Sequence, residues 1–192
     1  MTQTSPLRLP VVALSAEYLV IGHLMRRNIL AYKAPPNNEG YDLICIHPDP
    51  RQSSGQVRVQ VKSRYQTDCD RGFPVKERTF DAFDFLVIAF LNIGWFYTNK
   101  PVRDGYAEPE FYTLPVDFVR RYYRHSASGW EKVLTNGLDL SAYRNERGFE
   151  QVAEALGIAY PSRQQNRSTA RTAAPAQRHA SPEVNADIGR TR

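Results

Sequence analysis

Between Tyr41 and Arg64 the chain carries two short runs of alternating character, Tyr41–Ile46 and Gln56–Lys62, joined by a Pro/Ser/Gly-rich connection. Side chains of a strand alternate between its faces with a period of two. Asp42, Ile44 and Ile46 therefore share one face of the first run. In the second, Val57, Val59 and Val61 share one face and Arg58, Gln60 and Lys62 the other. The pattern predicts a hairpin that places a carboxylate at the start of one strand beside Gln60 and Lys62 on its neighbour. Upstream, from Val11, the period becomes helical: Ala13, Leu14, Val20, Ile21 and Leu24 fall on one face, with Glu17 at its centre. An acid on an apolar stripe costs free energy unless it is paired, hydrogen-bonded or metal-bound. Glu17 thus either lies at the stripe's edge and reaches solvent, or points to the strands and meets Asp42 or Lys62.

The remaining pattern completes an α/β order. Ile29–Tyr32 reads as a short first strand, and Ala34–Gly40 as a turn-rich connection in which Glu39 is a secondary site candidate. His47 to Gly55 reads as a hairpin loop, and His47, without a second histidine at ligand spacing, as a loop residue. Ser63–Arg78 is polar and predicts a mixed-charge loop, with Arg64 placed to touch a polyanion. Phe83–Leu91 is almost continuously apolar, the mark of a central strand buried on both faces; Asp81 and Asp84 beside it read as capping or edge groups. Trp95–Asp104 reads as a turn or loop and Glu110–Leu114 as another strand. Pro115 suits the first turn of a helix over Val116–His125, which gathers Arg120, Arg121 and Arg124 into a basic patch. Residues 130–144 give no clear pattern. Asn145 predicts the cap of a last helix bearing Phe149, Val152, Ala153 and Leu156, closed by Gly157.

Composition narrows this picture. The 192 residues, 42% of them hydrophobic, suit one domain over residues 11–160, after a short flexible arm at 1–10. From Pro161 large apolar residues almost vanish, which predicts a disordered tail over 161–192. That tail holds six Arg against Glu183 and Asp187, and so four of the five net positive charges. The overall basicity is therefore weak evidence for a basic face on the folded part. Cys45 and Cys69 form no disulfide or zinc pattern, the N-terminus lacks the order of a signal peptide, and no apolar run is long enough to span a membrane. A soluble, cytoplasmic protein is expected, with no membrane partner and no small-molecule organic cofactor.

A helix with an inward acid, a strand with an acid, a strand reading Gln-Val-Lys and then a buried strand resembles the PD-(D/E)xK nuclease superfamily. The residues that carry the resemblance are Glu17 in the first helix, Asp42 in GYDLICI, and Gln60 and Lys62 in VRVQVKSR. Within that superfamily the chain is most similar to small bacterial and intron-encoded endonucleases and to Holliday-junction-resolvase-like proteins. The resemblance implies a restriction-endonuclease-like core: a central mixed sheet of four to five strands flanked by helices. It implies hydrolysis of DNA phosphodiester bonds with Mg²⁺, for which Mn²⁺ can substitute. Asp42, Gln60, the Val61 carbonyl and Glu17 would hold the metal, and Lys62 would serve the water or the phosphate. Arg64, Arg120, Arg121 and Arg124 are the expected DNA contacts, and two strands to cut imply a homodimer. Gln60 stands where the superfamily usually has an acid, which leaves open a domain of the same fold that binds nucleic acid without cutting it.

Overall fold

Apolar side chains on both sides of Phe85–Phe90 leave that segment no surface for water, and all six of its residues are buried. The computed structural model describes residues 11–36, 38–52, 55–65, 71–93 and 107–159, all within one compact unit, Met1–Tyr160. The expected arm at 1–10, the Trp95–Asp104 loop and the tail at 161–192 lie outside the described residues in whole or nearly so. In chain order the elements are α1 (Val11–Met25), β1 (Leu30–Lys33), β2 (Leu43–Ile46), β3 (Gln56–Arg64), β4 (Gly72–Pro74), β5 (Phe85–Phe90), β6 (Glu110–Pro115), α2 (Val116–Tyr122), β7 (Tyr123–His125), β8 (Glu131–Leu134) and α3 (Glu146–Ala155).

The fold is α/β, built on a mixed five-stranded sheet in the order β1-β2-β3-β5-β6. β3 and β5 run parallel, from Val59 opposite Phe85 to Arg64 opposite Phe90, and the other neighbours are antiparallel. On one face Leu43, Cys45, Val57, Val59, Val61, Val87 and Ala89 pack under α1 and α3. On the other, Leu86, Ile88, Phe90 and Leu114 meet Phe73, Phe80, Val119 and Val133. A fully buried leucine or phenylalanine contributes about 1.5–3 kcal/mol, so a strand buried on both faces anchors both layers. Burial pushes the Cys45 thiol up to about 12, with Asp84 adding to the effect, so this cysteine is a reduced core group.

The structure corrects several expectations. The buried stripe of α1 is Ala16, Val20 and Leu24, whereas Leu14 is 41% exposed. The helix is apolar almost all round, so its period does not select one face, and Glu17 falls at the edge of the buried stripe. Residues 63–78 are not one loop: β3 continues to Arg64, and Gly72–Pro74 joins a second, antiparallel sheet of order β4-β8-β7. The helix expected over Val116–His125 stops at Tyr122, because Tyr123, Arg124 and His125 pair with Val133, Lys132 and Glu131. Asn145 precedes α3 as expected but makes no side-chain cap; its Oδ1 instead accepts the Phe111 N–H at 2.9 Å and ties α3 to β6. Close packing seals that contact: a Cβ on Gly148 would lie 2.2 Å from the Tyr143 carbonyl oxygen.

Where α1 meets α3, the nearly buried Arg27 pairs with Glu146, donates to the His23 carbonyl and lies 4.8 Å from the Phe149 ring centroid. His23 stacks on Phe149 with ring centroids 5.3 Å apart, and its buried Nδ1 has no hydrogen-bond partner. Desolvation first, then Arg27 and Arg26, hold the imidazole below its ordinary 6.5, and Glu146 opposes them only in part. A depressed folded-state value means that the unfolded chain binds more protons below pH 6.5. Stability should therefore be complete above that pH and decline as pH falls through the folded-state value. Urea unfolding from pH 7.5 to 5 should show this slope, and His23→Gln should flatten it.

Candidate active site

Asp42 sits just before β2, where its N–H donates to the Val59 carbonyl at 2.9 Å and its carbonyl accepts the Ala34 N–H at 2.8 Å. Its Oδ2 accepts the Val61 N–H at 2.7 Å, which fixes the carboxylate against the middle of β3. Alternation then turns Gln60 and Lys62 to the face of β3 opposite the valines. Asp42, Gln60 and Lys62 meet in one cleft of about 490 Å³ between the main sheet and the small sheet. The juxtaposition expected from Tyr41–Arg64 is thus present, although the first strand begins at Leu43 and Asp42 stands at its entrance.

Two features give this cleft chemical character. Gln60 is only 8% exposed, and its buried Oε1 has no hydrogen-bond partner. An unsatisfied buried carbonyl oxygen costs about 1–3 kcal/mol. The Lys62 ammonium makes neither hydrogen bond nor ion pair among the described residues. Desolvation holds its pKa below the ordinary lysine value, Asp42 pulls it back up, and Arg64 lowers it further. The cleft wall depends on Gly40, at φ +105°, where an added Cβ would come within 2.5 Å of the Ala82 Cβ.

Glu17 is not brought to this group. Its partner is Lys33, at the end of β1 on the sheet face that α1 covers. Lys33 and Asp42 both line a second hollow of about 410 Å³. Among the described residues no three His, Cys, Asp or Glu side chains group in a way that could hold a metal ion. The oxygen donors that line the cleft beside Lys62 include those of Asp42 and Gln60, on neighbouring segments.

The expected DNA-contacting arginines are dispersed. Arg64 donates to the Ser63 and Gly72 carbonyls and lies 4.7 Å from the Phe73 ring centroid, bracing β4 against β3. Arg120 pairs with Asp81 and covers the Phe80 ring, Arg121 is exposed at the end of α2, and Arg124 lies on β7. The compact helical patch does not form, because the helix ends between Arg121 and Arg124. Asp84, expected as an edge group, accepts the Arg58 N–H at 2.7 Å and pairs with its guanidinium. His47 stays in its loop, where Nδ1 accepts the Asp49 N–H at 3.0 Å. Glu39 lines the cleft and pairs with Lys76 and Arg78.

Lys76 lies in the polar Ser63–Arg78 segment expected beside the site, whereas Thr79 and, from the β7–β8 turn, Ser128, Gly129, Trp130 and Glu131 carry no expectation. Their sole sequence signal was a Ser-Ala-Ser-Gly turn followed by a tryptophan.

No protein-family model and no curated protein matches the chain. Among solved structures it is similar to the bacterial homing endonuclease I-Ssp6803I, at 18% identity and a TM-score of 0.41, over 85% of this chain and 98% of that one. It is also similar to Hjc of Archaeoglobus fulgidus, a Holliday junction resolvase from an archaeal hyperthermophile, at 10% identity and a TM-score of 0.38, over 78% of this chain and 99% of that one. No helix among the described residues is long and apolar enough to cross a membrane.

Because Asp42 is, among the described residues, the one that opposes the desolvation of Lys62, Asp42→Asn should lower the Lys62 pKa further. Titration of the lysine side-chain NMR signals checks this. An unchanged midpoint would show that the two charges do not meet.

Proposed function

We propose that the chain is a metal-dependent endonuclease that hydrolyses DNA phosphodiester bonds in the cleft of Asp42, Gln60 and Lys62. The observation that carries this reading is the orphaned, buried Gln60 Oε1, set in one cleft with a carboxylate and an unpaired lysine. An amide oxygen and a carboxylate suit a hard cation such as Mg²⁺, which takes one or two protein carboxylates and keeps several waters. Mn²⁺ suits the same oxygens, and the Val61 carbonyl is the third protein donor in this reading. Glu17, engaged by Lys33 on the sheet face that α1 covers, is not a donor in this reading. Such an ion, when bound, supplies an activated water and neutralises charge on the phosphate.

The chain's own groups do the rest. The Val61 N–H holds the Asp42 carboxylate in place before any ligand arrives, so little ordering remains to be done on binding. Lys62 keeps a proton at Nζ in a partly dehydrated site, where a compact cation acts more strongly on developing phosphate charge than it would in water. Hydrolysis forms a bond from the water oxygen to phosphorus, with that water's proton passing to solvent, and breaks the P–O bond to the departing sugar oxygen, which takes a proton from Lys62 Nζ; Lys62 is reprotonated from solvent. The depressed pKa of Lys62 makes its proton easier to release to that oxygen.

The neutral Gln60 favours one second reading, a domain of the same architecture that binds DNA without cutting it. Supercoiled, linear and four-way-junction DNA incubated with Mg²⁺ or EDTA separates the two. Cleavage should need the metal, and Lys62→Ala should slow it about 100-fold or more while DNA remains bound. Gln60→Glu should lower the Mg²⁺ concentration for half-maximal activity. Undiminished cleavage by Lys62→Ala would refute the assignment, whereas binding without cleavage by the wild type would select the second reading. Preference for the junction would mark a resolvase. Cutting both strands calls for a homodimer, and sedimentation with DNA bound should give two chains per site.

A further inference from the structure

We propose that Trp130 is a stacking platform for a nucleobase displaced from the duplex beside the bond to be cut. The proposal rests on the nuclease reading and specifies its substrate. Trp130 is 65% exposed, more than any other large hydrophobic residue described. Its indole makes no ring contact and no hydrogen bond among the described residues. Yet it lines the same cleft as Asp42, Gln60 and Lys62, on the opposite wall.

The turn that presents it is tightly held. The Ser126 N–H donates to the Trp130 carbonyl at 3.0 Å, the Trp130 N–H to Ser126 Oγ at 3.0 Å, and the Gly129 N–H to the Ser126 carbonyl at 2.9 Å. Gly129 takes φ +80°, which a residue with a Cβ rarely adopts. An exposed indole on a braced turn offers a flat apolar face at little entropic cost on binding.

The surroundings define what can lie on that face. The acids of the cleft wall are already engaged, Glu131 by the Tyr123 hydroxyl and the Glu77 N–H, and Glu39 by Lys76 and Arg78. Lys62 and Lys76 are the cations of the cleft and suit a backbone phosphate. A cleft of about 490 Å³ lies within the roughly 300–1,000 Å³ range of small-ligand sites. A phosphate against the lysines and a base against the indole is a nucleotide. Bases inside an intact duplex stack on one another and present no free face, so the platform selects DNA in which a base is unstacked, as in a gap, flap or branch.

The test measures affinity for intact duplex and for the same duplex with a short single-stranded gap, in Ca²⁺ to hold the complex uncut. Trp130→Ala should weaken gapped-DNA binding about 5- to 100-fold and leave duplex binding unchanged. Trp130→Phe should retain most of the affinity. In Trp95→Phe, where Trp130 is the sole tryptophan, gapped DNA should quench the emission more strongly than duplex does. Gapped-DNA binding by Trp130→Ala equal to wild type, or an equal loss on both substrates, would overturn the proposal. If the wild type binds and cleaves DNA while Trp130→Ala is silent, stacking alone falls. If the wild type binds no DNA of either kind, the nuclease reading falls with it.

Discussion

The parallel ladder between β3 and β5 is the constraint from which the rest follows. β5 is buried on both faces, so β3 has one permitted register beside it, from Val59 opposite Phe85 to Arg64 opposite Phe90. That register sends Val57, Val59 and Val61 to the core under α1. With a side-chain period of two it leaves no choice but to send Gln60 and Lys62 to the other face. A slip of one residue would bury a lysine and an amide beneath α1 and expose three valines. Core packing and site geometry are therefore one decision, and the Asp42–Val61 hydrogen bond carries it across to β2.

Within the cleft the balance of charge explains why an amide can stand at position 60. A carboxylate there, close to Asp42 in a partly dehydrated setting, would meet like-charge repulsion of about 4 kcal/mol at 4 Å and an effective dielectric of 20. The amide avoids that repulsion and substitutes a smaller penalty, one unsatisfied oxygen. Lys62 is in the complementary position, a cation whose dehydration is only partly offset by a single carboxylate. Both groups sit in states that an added ligand would relieve.

The sequence was most legible where burial and period agree. The apolar run ending at Leu91 reads directly as a central strand, and the alternation around Gln60 brings Asp42, Gln60 and Lys62 together from the pattern alone. It was least legible where several arrangements satisfy the same pattern. α1 is apolar on most of its circumference, so Glu17 looked central although it lies at the stripe's edge and pairs with Lys33. Tyr123, Arg124 and His125 continue a helical period but are claimed by β8, a partner whose own strand is four residues long. The small sheet, with strands of three, three and four residues, was too short to announce itself. The arginine patch dissolved for the same reason. Trp130 left no trace in any periodicity, because its place depends on how the small sheet stands against the large one.

That small sheet gives the cleft two walls of separate origin. Asp42, Gln60 and Lys62 come from a framework locked by a buried strand, while Gly129, Trp130 and Glu131 come from a hairpin whose tip bears little of the core. The first wall tolerates few changes, since each of its residues shares a register with the interior. The second can lengthen, shorten or change its side chains at the tip while the ladder beneath stays intact. Variation among chains of this architecture is thus expected to accumulate at the hairpin tip, which can change while Asp42, Gln60 and Lys62 keep their places.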